Sequence, residues 1–169
     1  SRAYMYAGRY DEAEKLLSSA LAHNTDALTL QLELARLLIL KGELTASRDL
    51  LVELESKHPK NAFVFARFGD LEFAAGDYTL AAERFEQSLS LFASTETVLS
   101  LGKALLKSGD VKMTEDLWRG WLTQFPNDRE TRFLLAQAHR MTGRAKEADR
   151  ELELLLEKFD GDIVALNEL

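Results

Sequence analysis

The chain contains no cysteine, so it can form neither a disulfide bond nor a thiolate metal site. No apolar run approaches the roughly 18 residues that a membrane-spanning helix needs, so we expect no direct membrane insertion by this segment. Basic residues are in the minority, with 21 Lys and Arg against 28 Asp and Glu. The resulting net charge of −7 repels phosphate backbones, which argues against sequence-independent binding of nucleic acid. The composition is instead rich in Ala, Leu, Glu, Lys and Arg, the strong helix formers.

Glycine recurs along the chain at spacings of 34, 34, 33 and 34 residues. The five positions are Gly8, Gly42, Gly76, Gly109 and Gly143. A small residue follows each glycine by five positions, and a large apolar residue follows it by nine. Small residues also stand seven positions before the glycine, at Ala35, Gly69, Gly102 and Ala136. A fixed period of this length indicates a repeat architecture.

The columns of the repeat have a consistent physical meaning. Glycine can end a helix with positive φ, and an acidic residue soon after it suits the start of the next helix. Small residues let two helices approach closely, and large apolar residues fill the space beside them. We therefore expect partial helices at either end of the chain and full helices near 28–41, 44–57, 62–75, 78–92, 95–108, 111–124, 129–142 and 145–158.

This pattern resembles the tetratricopeptide repeat, which has small residues at repeat positions eight and twenty and a large apolar residue at position twenty-four. The resemblance implies an all-α fold, a right-handed superhelical solenoid of antiparallel helix pairs. Residues 1–169 would form a single array with full repeats 28–61, 62–94, 95–128 and 129–162, and partial repeats 1–27 and 163–169. Since the chain opens inside a motif and without Met, we expect it to be a fragment of a longer chain. The acidic charge and the spacing favour this family over the RNA-reading pentatricopeptide repeat.

No motif in the sequence supports catalysis, so we expect neither enzyme activity, nor a cofactor, nor a metal site. His23 and His58 fall at predicted helix C-termini, and His139 occupies a packing column. Residues 160–162 fit an inter-repeat turn better than a cation loop. Trp118 and Trp121 suggest either an aromatic ligand platform or core, and their alignment with leucines of other repeats favours core.

In this family the first helix of each pair lines a concave face, which implies a binding groove. The candidate residues are Arg36, Phe63, Arg67, Asp70, Phe73, Lys103, Lys107, Gln137 and Arg140. Basic side chains alternate there with apolar ones, which predicts a peptide or protein partner that carries acidic residues. The alternative is local neutralisation, in which Glu33 pairs with Arg36 and Arg67 with Asp70. The Lys/Asn clamp that some members use for chaperone C-termini is absent, so we reject that role.

Residues 117–169 also resemble tetratricopeptide lipoproteins of bacterial exopolysaccharide export and PEP-CTERM sorting systems. The segment from LWRGWLTQFPND to DIVALNEL carries this resemblance. It implies a scaffold in a bacterial envelope, with a periplasmic location, although a cytoplasmic one stays open. The alternatives are an export module that contacts anionic polysaccharide and the regulatory or targeting arm of a larger enzyme.

Overall fold

The computed structural model describes residues 2–24 and 27–158, and the regular structure in these ranges is α-helical. The predicted all-α class is confirmed. Along the described residues the helices are α1 (Arg2–Tyr6), α2 (Tyr10–His23), α3 (Leu28–Lys41), α4 (Leu44–Lys57), α5 (Ala62–Ala75), α6 (Tyr78–Leu91), α7 (Thr95–Ser108), α8 (Val111–Gln124), α9 (Arg129–Met141) and α10 (Ala145–Lys158). The predicted turn at 160–162 and the partial repeat 163–169 lie outside the described residues.

Six of the eight predicted full helices have the predicted bounds. The other two, predicted over 78–92 and 129–142, each end one residue earlier. Phe92 leaves α6 because its backbone is extended, with φ −149° and ψ 111°. Thr142 leaves α9, and its hydroxyl donates to the carbonyl oxygens of Ala138 and His139. Such side-chain bonds satisfy carbonyl groups that a helix end leaves without a partner.

The repeat glycines end helices as predicted, with φ between 70° and 97°. At Gly76, φ is 85°, and the N–H groups of Gly76 and Asp77 donate back to the carbonyls of Phe73 and Glu72. A side chain at this positive φ would be strained. Asp77 then caps α6, because its carboxylate accepts the N–H of Leu80 at 3.1 Å. Asp110 stands at the same position before α8 but makes no side-chain cap bond.

Consecutive helices pack as antiparallel pairs, and the small residues set how closely they approach. A Cβ added to Gly69 would lie 2.5 Å from the ring of Phe85, a distance too short for a methyl group. The same holds for Gly102 and the indole of Trp118. The predicted complementarity of small and large columns is therefore confirmed, and Trp118 is core, with no exposed surface.

The chain divides into two compact units at Ala93 and Ser94. The first unit holds α1 to α6, and the second holds α7 to α10. A large core cluster of the first unit consists of Leu32, Ala35, Leu51, Leu54, Val64, Phe68 and Leu71. A core cluster of the second unit consists of Ala136, Leu152 and Leu155. The expectation of one continuous superhelical array over 1–169 stays a prediction.

Candidate functional site

The predicted binding residues all lie on first helices of their pairs, some in each unit. In the first unit, α3 carries Arg36, and α5 carries Phe63, Arg67, Asp70 and Phe73. In the second unit, α7 carries Lys103 and Lys107, and α9 carries Gln137 and Arg140. Whether they contact a partner stays a prediction, and their surroundings differ from one residue to the next.

On α5 the aromatic candidates contact other aromatic rings, whereas the charged candidates pair with each other. Phe63 is 57% exposed, and its ring centroid lies 5.6 Å from that of Phe92. Phe73 is half-buried and meets Tyr78 edge-on, so it also closes the α5–α6 turn. Arg67 donates to the Asp70 carboxylate at 2.5 Å within the same helix. Local neutralisation, the alternative from the sequence, therefore applies to Arg67.

On α7 the two lysines keep their charge accessible. Lys103 and Lys107 are both exposed, and within residues 2–24 and 27–158 neither has an ion pair or a hydrogen bond. Like charges four residues apart on a helix repel by about 0.2–0.5 kcal/mol. Lys107 lies in the last turn of α7, where the helix dipole favours a cation, but Lys103 does not. The pair thus concentrates positive charge on one face of an acidic protein.

On α9 the candidates are less available. Gln137 is half-buried. Arg140 is exposed, and its guanidinium lies 3.6 Å from a carboxylate oxygen of Asp149 on α10. Met141, next in the chain, is 79% exposed. Of the residues around these positions, the lysine pair and the exposed apolar side chains are the ones that a partner can reach without breaking an ion pair.

The structure also shows ion pairs between successive repeats that the repeat pattern does not predict. Glu14, Arg48 and Glu115 occupy equivalent positions early in second helices. Each forms an ion pair with the next repeat, to Lys41, Glu72 and Arg144 respectively. Arg48 holds Glu72 with two hydrogen bonds, of 2.6 and 2.8 Å. The equivalent position in the repeat 62–94 is Ala82, which carries no charge.

A second polar cluster lies between α8, α9 and α10. His139 has no exposed surface, which confirms its packing position. Its Nδ1 faces an oxygen of Glu115 at 3.8 Å, and its Nε2 lies 3.5 Å from the guanidinium of Arg119. Burial and the positive charge of Arg119 lower the pKa of His139 below its ordinary value. Both effects favour the neutral form of the imidazole.

The aromatic segment at the end of α8 is built around Asp128. Its carboxylate accepts the indole N–H of Trp121 at 2.7 Å, the hydroxyl of Thr95 at 2.8 Å and the N–H of Thr131 at 3.1 Å. Burial opposes ionisation of Asp128, but these hydrogen bonds outweigh it and lower its pKa. Trp121 is 9% exposed, so the interpretation as core holds for both tryptophans. Phe125, 44% exposed, stacks on Trp121.

Metal-binding and membrane-spanning features are absent from the part of the chain that the structure describes. There, no group of three or more His, Asp or Glu side chains could hold a metal ion. In the same ranges, no helix combines the length and the apolar character that crossing a membrane requires.

Two family models match the sequence, and both describe the tetratricopeptide repeat. One covers residues 4–65 and the other residues 67–113. The chain therefore belongs to the tetratricopeptide repeat proteins, a family whose repeats generally serve as protein–protein interaction scaffolds and are typically non-catalytic. The resemblance inferred from the glycine spacing is thereby confirmed at the level of the family. No protein of curated function matches the sequence.

Solved structures share the fold at low sequence identity. TTC0263, a thermophilic repeat protein of this family from Thermus thermophilus, is 20% identical, with a TM-score of 0.78 over 98% of this chain and 91% of that chain. The pilF protein of Pseudomonas aeruginosa is 15% identical, with a TM-score of 0.75 over 98% of this chain and 76% of that chain. YrrB, described as having an unusual peptide-binding site, is 20% identical, with a TM-score of 0.66 over 90% of this chain and 79% of that chain. Identities this low show the fold alone.

Proposed function

We propose that this protein is a non-catalytic scaffold that binds an acidic segment of a partner protein on the exposed faces of its first helices. The observation that carries the proposal is the exposure of Lys103 and Lys107 and their lack of ion-pair partners among the residues that the structure describes. These side chains are exposed and have no ion-pair partner in the described ranges, whereas Arg67 is neutralised by Asp70. Carboxylates of a partner would relieve the repulsion between the two lysines.

The spacing of Lys103 and Lys107 along α7 determines which acidic segment can pair with both. Residues four apart on a helix are separated by about 6 Å along its axis. Carboxylates two residues apart on an extended chain are separated by about 6.6 Å, so alternate acidic residues match the lysine spacing. Exposed apolar side chains such as Phe63 and Met141 offer anchor points within their own units. The peptide-binding site named for YrrB is consistent with this use of the fold.

The binding experiment uses fluorescence anisotropy with a labelled oligo-glutamate peptide and an oligo-glutamine peptide of equal length. We expect the acidic peptide to bind and Lys103→Gln/Lys107→Gln to weaken it about five- to thirtyfold, since each exposed ion pair contributes roughly 0.5–1 kcal/mol. The matched control is Lys112→Gln/Lys146→Gln, which removes the same charge from exposed, unpaired lysines on the second helices α8 and α10.

The outcomes separate the alternatives. Equal weakening in both double variants would mean that net charge alone attracts the peptide, and the proposed face would be wrong. Tighter binding of polygalacturonate than of oligo-glutamate would support the export module that contacts anionic polysaccharide. Binding of neither probe would favour the regulatory or targeting arm of a larger enzyme, in which other surfaces matter.

The narrower proposal places the scaffold in a bacterial envelope or exopolysaccharide export assembly, with a periplasmic location. It rests on the sequence resemblance of residues 117–169 alone. The test is the neighbouring genes and the full-length chain: a lipoprotein signal and adjacent export genes would support it, and their absence would remove it.

A further inference from the structure

The imidazole of His139 is held between two opposite charges inside the second unit. Arg119 lies 3.5 Å from Nε2, and Glu115 lies 3.8 Å from Nδ1. A guanidinium can only donate hydrogen bonds, so Nε2 must be the acceptor and the ring proton must reside on Nδ1. That proton points toward Glu115 but has no hydrogen-bond partner among the described residues. A buried polar atom left in this state costs free energy and calls for an explanation.

Charged groups face His139 from each neighbouring element. Glu115 and Arg119 come from α8, and Glu147 and Glu151 come from α10. Glu151 is engaged by Arg132, whose guanidinium donates to it at 2.7 Å. α7 also packs on α9, and its lysines, Lys103 and Lys107, are exposed to water.

Glu115 has a second partner, which ties α8 to the turn between α9 and α10. Arg144 donates to its carboxylate at 2.8 Å and also holds the hydroxyl of Thr142. The backbone N–H of Arg144 donates to the carbonyl of His139 itself, at 2.9 Å. Any change in charge on His139 therefore acts directly on the link between Glu115 and Arg144.

We propose that His139 is a proton-operated latch that holds α8 against the α9–α10 turn while it is neutral and loosens this link when it is protonated. The arriving proton binds Nε2 and takes the place of the hydrogen bond from Arg119, which swings into solvent. The imidazolium then attracts Glu115 through Nδ1–H and competes with Arg144 for the carboxylate. The latch lies within the second unit, so we expect its effect in that unit.

The direction of the pH effect follows from linkage. The pKa of His139 is lowered from its ordinary value of 6.5 by burial and then by Arg119, with Glu151 and Glu147 acting in the opposite sense. Below about pH 6.5 the unfolded chain binds a proton that the folded chain resists, so the free energy of unfolding falls as the pH drops. The loss continues until the pH reaches the lowered pKa of the folded state.

The experiment follows the three imidazole signals by NMR on the intact chain between about pH 7 and pH 5 and measures hydrogen-exchange protection over the same range. We expect His139 to take up its proton below the ordinary pH for an imidazole. The uptake should coincide with a loss of protection in α8 and at the N-terminus of α10, while α5 stays protected. Arg119→Gln removes the charge at Nε2 and should shift the titration of His139 upward, whereas Arg150→Gln, at an exposed position on α10, should not.

Two results would overturn the latch. The first is unchanged protection of α8 while His139 takes up its proton, at whatever pH the uptake occurs. The second is an identical titration in Arg119→Gln, Arg150→Gln and the parent chain, which would show that burial alone acts on the ring. Both variants change exposed side chains, so neither result depends on a variant that fails to fold.

Discussion

The indole of Trp118 occupies the space that a Cβ on Gly102 would need, and its Nε1 donates to the carbonyl of Val98 at 3.2 Å. One side chain of α8 thus fills the groove that a missing side chain on α7 leaves open, and its polar atom is satisfied by the backbone of that same helix. Buried tryptophans need such a partner for their N–H group. This contact fixes how α7 and α8 pair.

Gly102→Ala is therefore expected to destabilise the second unit, by about 1–3 kcal/mol, the usual cost of overpacking a filled core. The measurement is urea unfolding followed by tryptophan fluorescence. Gly120→Ala is the matched control, because Gly120 lies inside α8 with nothing within 4 Å of its added Cβ. That change should stabilise the helix by up to about 1 kcal/mol. Equal effects of the two substitutions would contradict the packing.

The ion pair between Arg48 and Glu72 leads to a second prediction about stability. Glu72 is 3% exposed, whereas Arg48 lies at the surface, so Arg48→Ala leaves a buried carboxylate without its cation. We expect a loss of about 2–3 kcal/mol in the free energy of unfolding, somewhat less than for a fully buried pair. Lys57→Ala, which removes an exposed pair with Glu53, should cost about 0.5 kcal/mol or less. Adding Glu72→Met to Arg48→Ala should restore stability, and a failure to do so would mean that the buried charge is not the cause.

The repeat pattern predicts the helices well because it is strict at the positions that decide them. Glycine with positive φ ends each first helix, and the small-to-large columns bring Gly69 against Phe85 at one spacing. Both requirements are local or fall at a constant offset, so a single sequence displays them. This is why six of the predicted helices have the observed bounds.

The ion pairs between repeats escaped prediction because their offsets vary. The partner of Glu14 lies 27 residues later in the sequence, that of Arg48 lies 24 residues later, and that of Glu115 lies 29 residues later. The sign of the charge also changes at Arg48, so no column of constant residue type appears. One signal was present in the sequence: a charged residue one position after the small residue of four second helices, at Glu14, Arg48, Glu115 and Asp149. His139 on α9 lies between Arg119 and Glu115 only because α8 packs against α9. The sequence alone therefore could not predict this environment.

The hydrogen bonds to Asp128 predict how the stability of the protein depends on pH. Three donors keep its carboxylate ionised, and its pKa is lowered from 3.8. The stabilisation is complete above the ordinary pKa of 3.8 and is lost as the pH falls through the lower pKa of the folded state. Asp128→Asn places an amide N–H₂ where Trp121 and Thr95 donate, and should cost about 1–3 kcal/mol at neutral pH.

The measurement for Asp128 is the difference in unfolding free energy between the parent chain and Asp128→Asn at a series of pH values. This difference should stay constant above about pH 4 and shrink below it, because other carboxylates titrate equally in both proteins. Thr95→Val supplies a control, since it removes one of the three donors and leaves the charge in place. A difference that does not depend on pH would show that shape alone, and not ionisation, makes Asp128 important.

Phe63 provides the most direct test of where a partner binds. Burying a fully exposed phenylalanine gains about 1.5–3 kcal/mol, so covering the 57% of Phe63 that is exposed gains about 0.9–1.7 kcal/mol. We therefore expect a photo-reactive benzoylphenylalanine at position 63 to form a covalent adduct with a partner protein in the producing cells. Val52 is the matched control, because it is 56% exposed and lies in the same unit, on the second helix α4. Mass spectrometry of the adducts should identify one protein for position 63 and none for position 52. Equal adducts at both positions would mean that exposure alone governs the reaction, and an adduct at position 52 only would move the binding surface to the second helices.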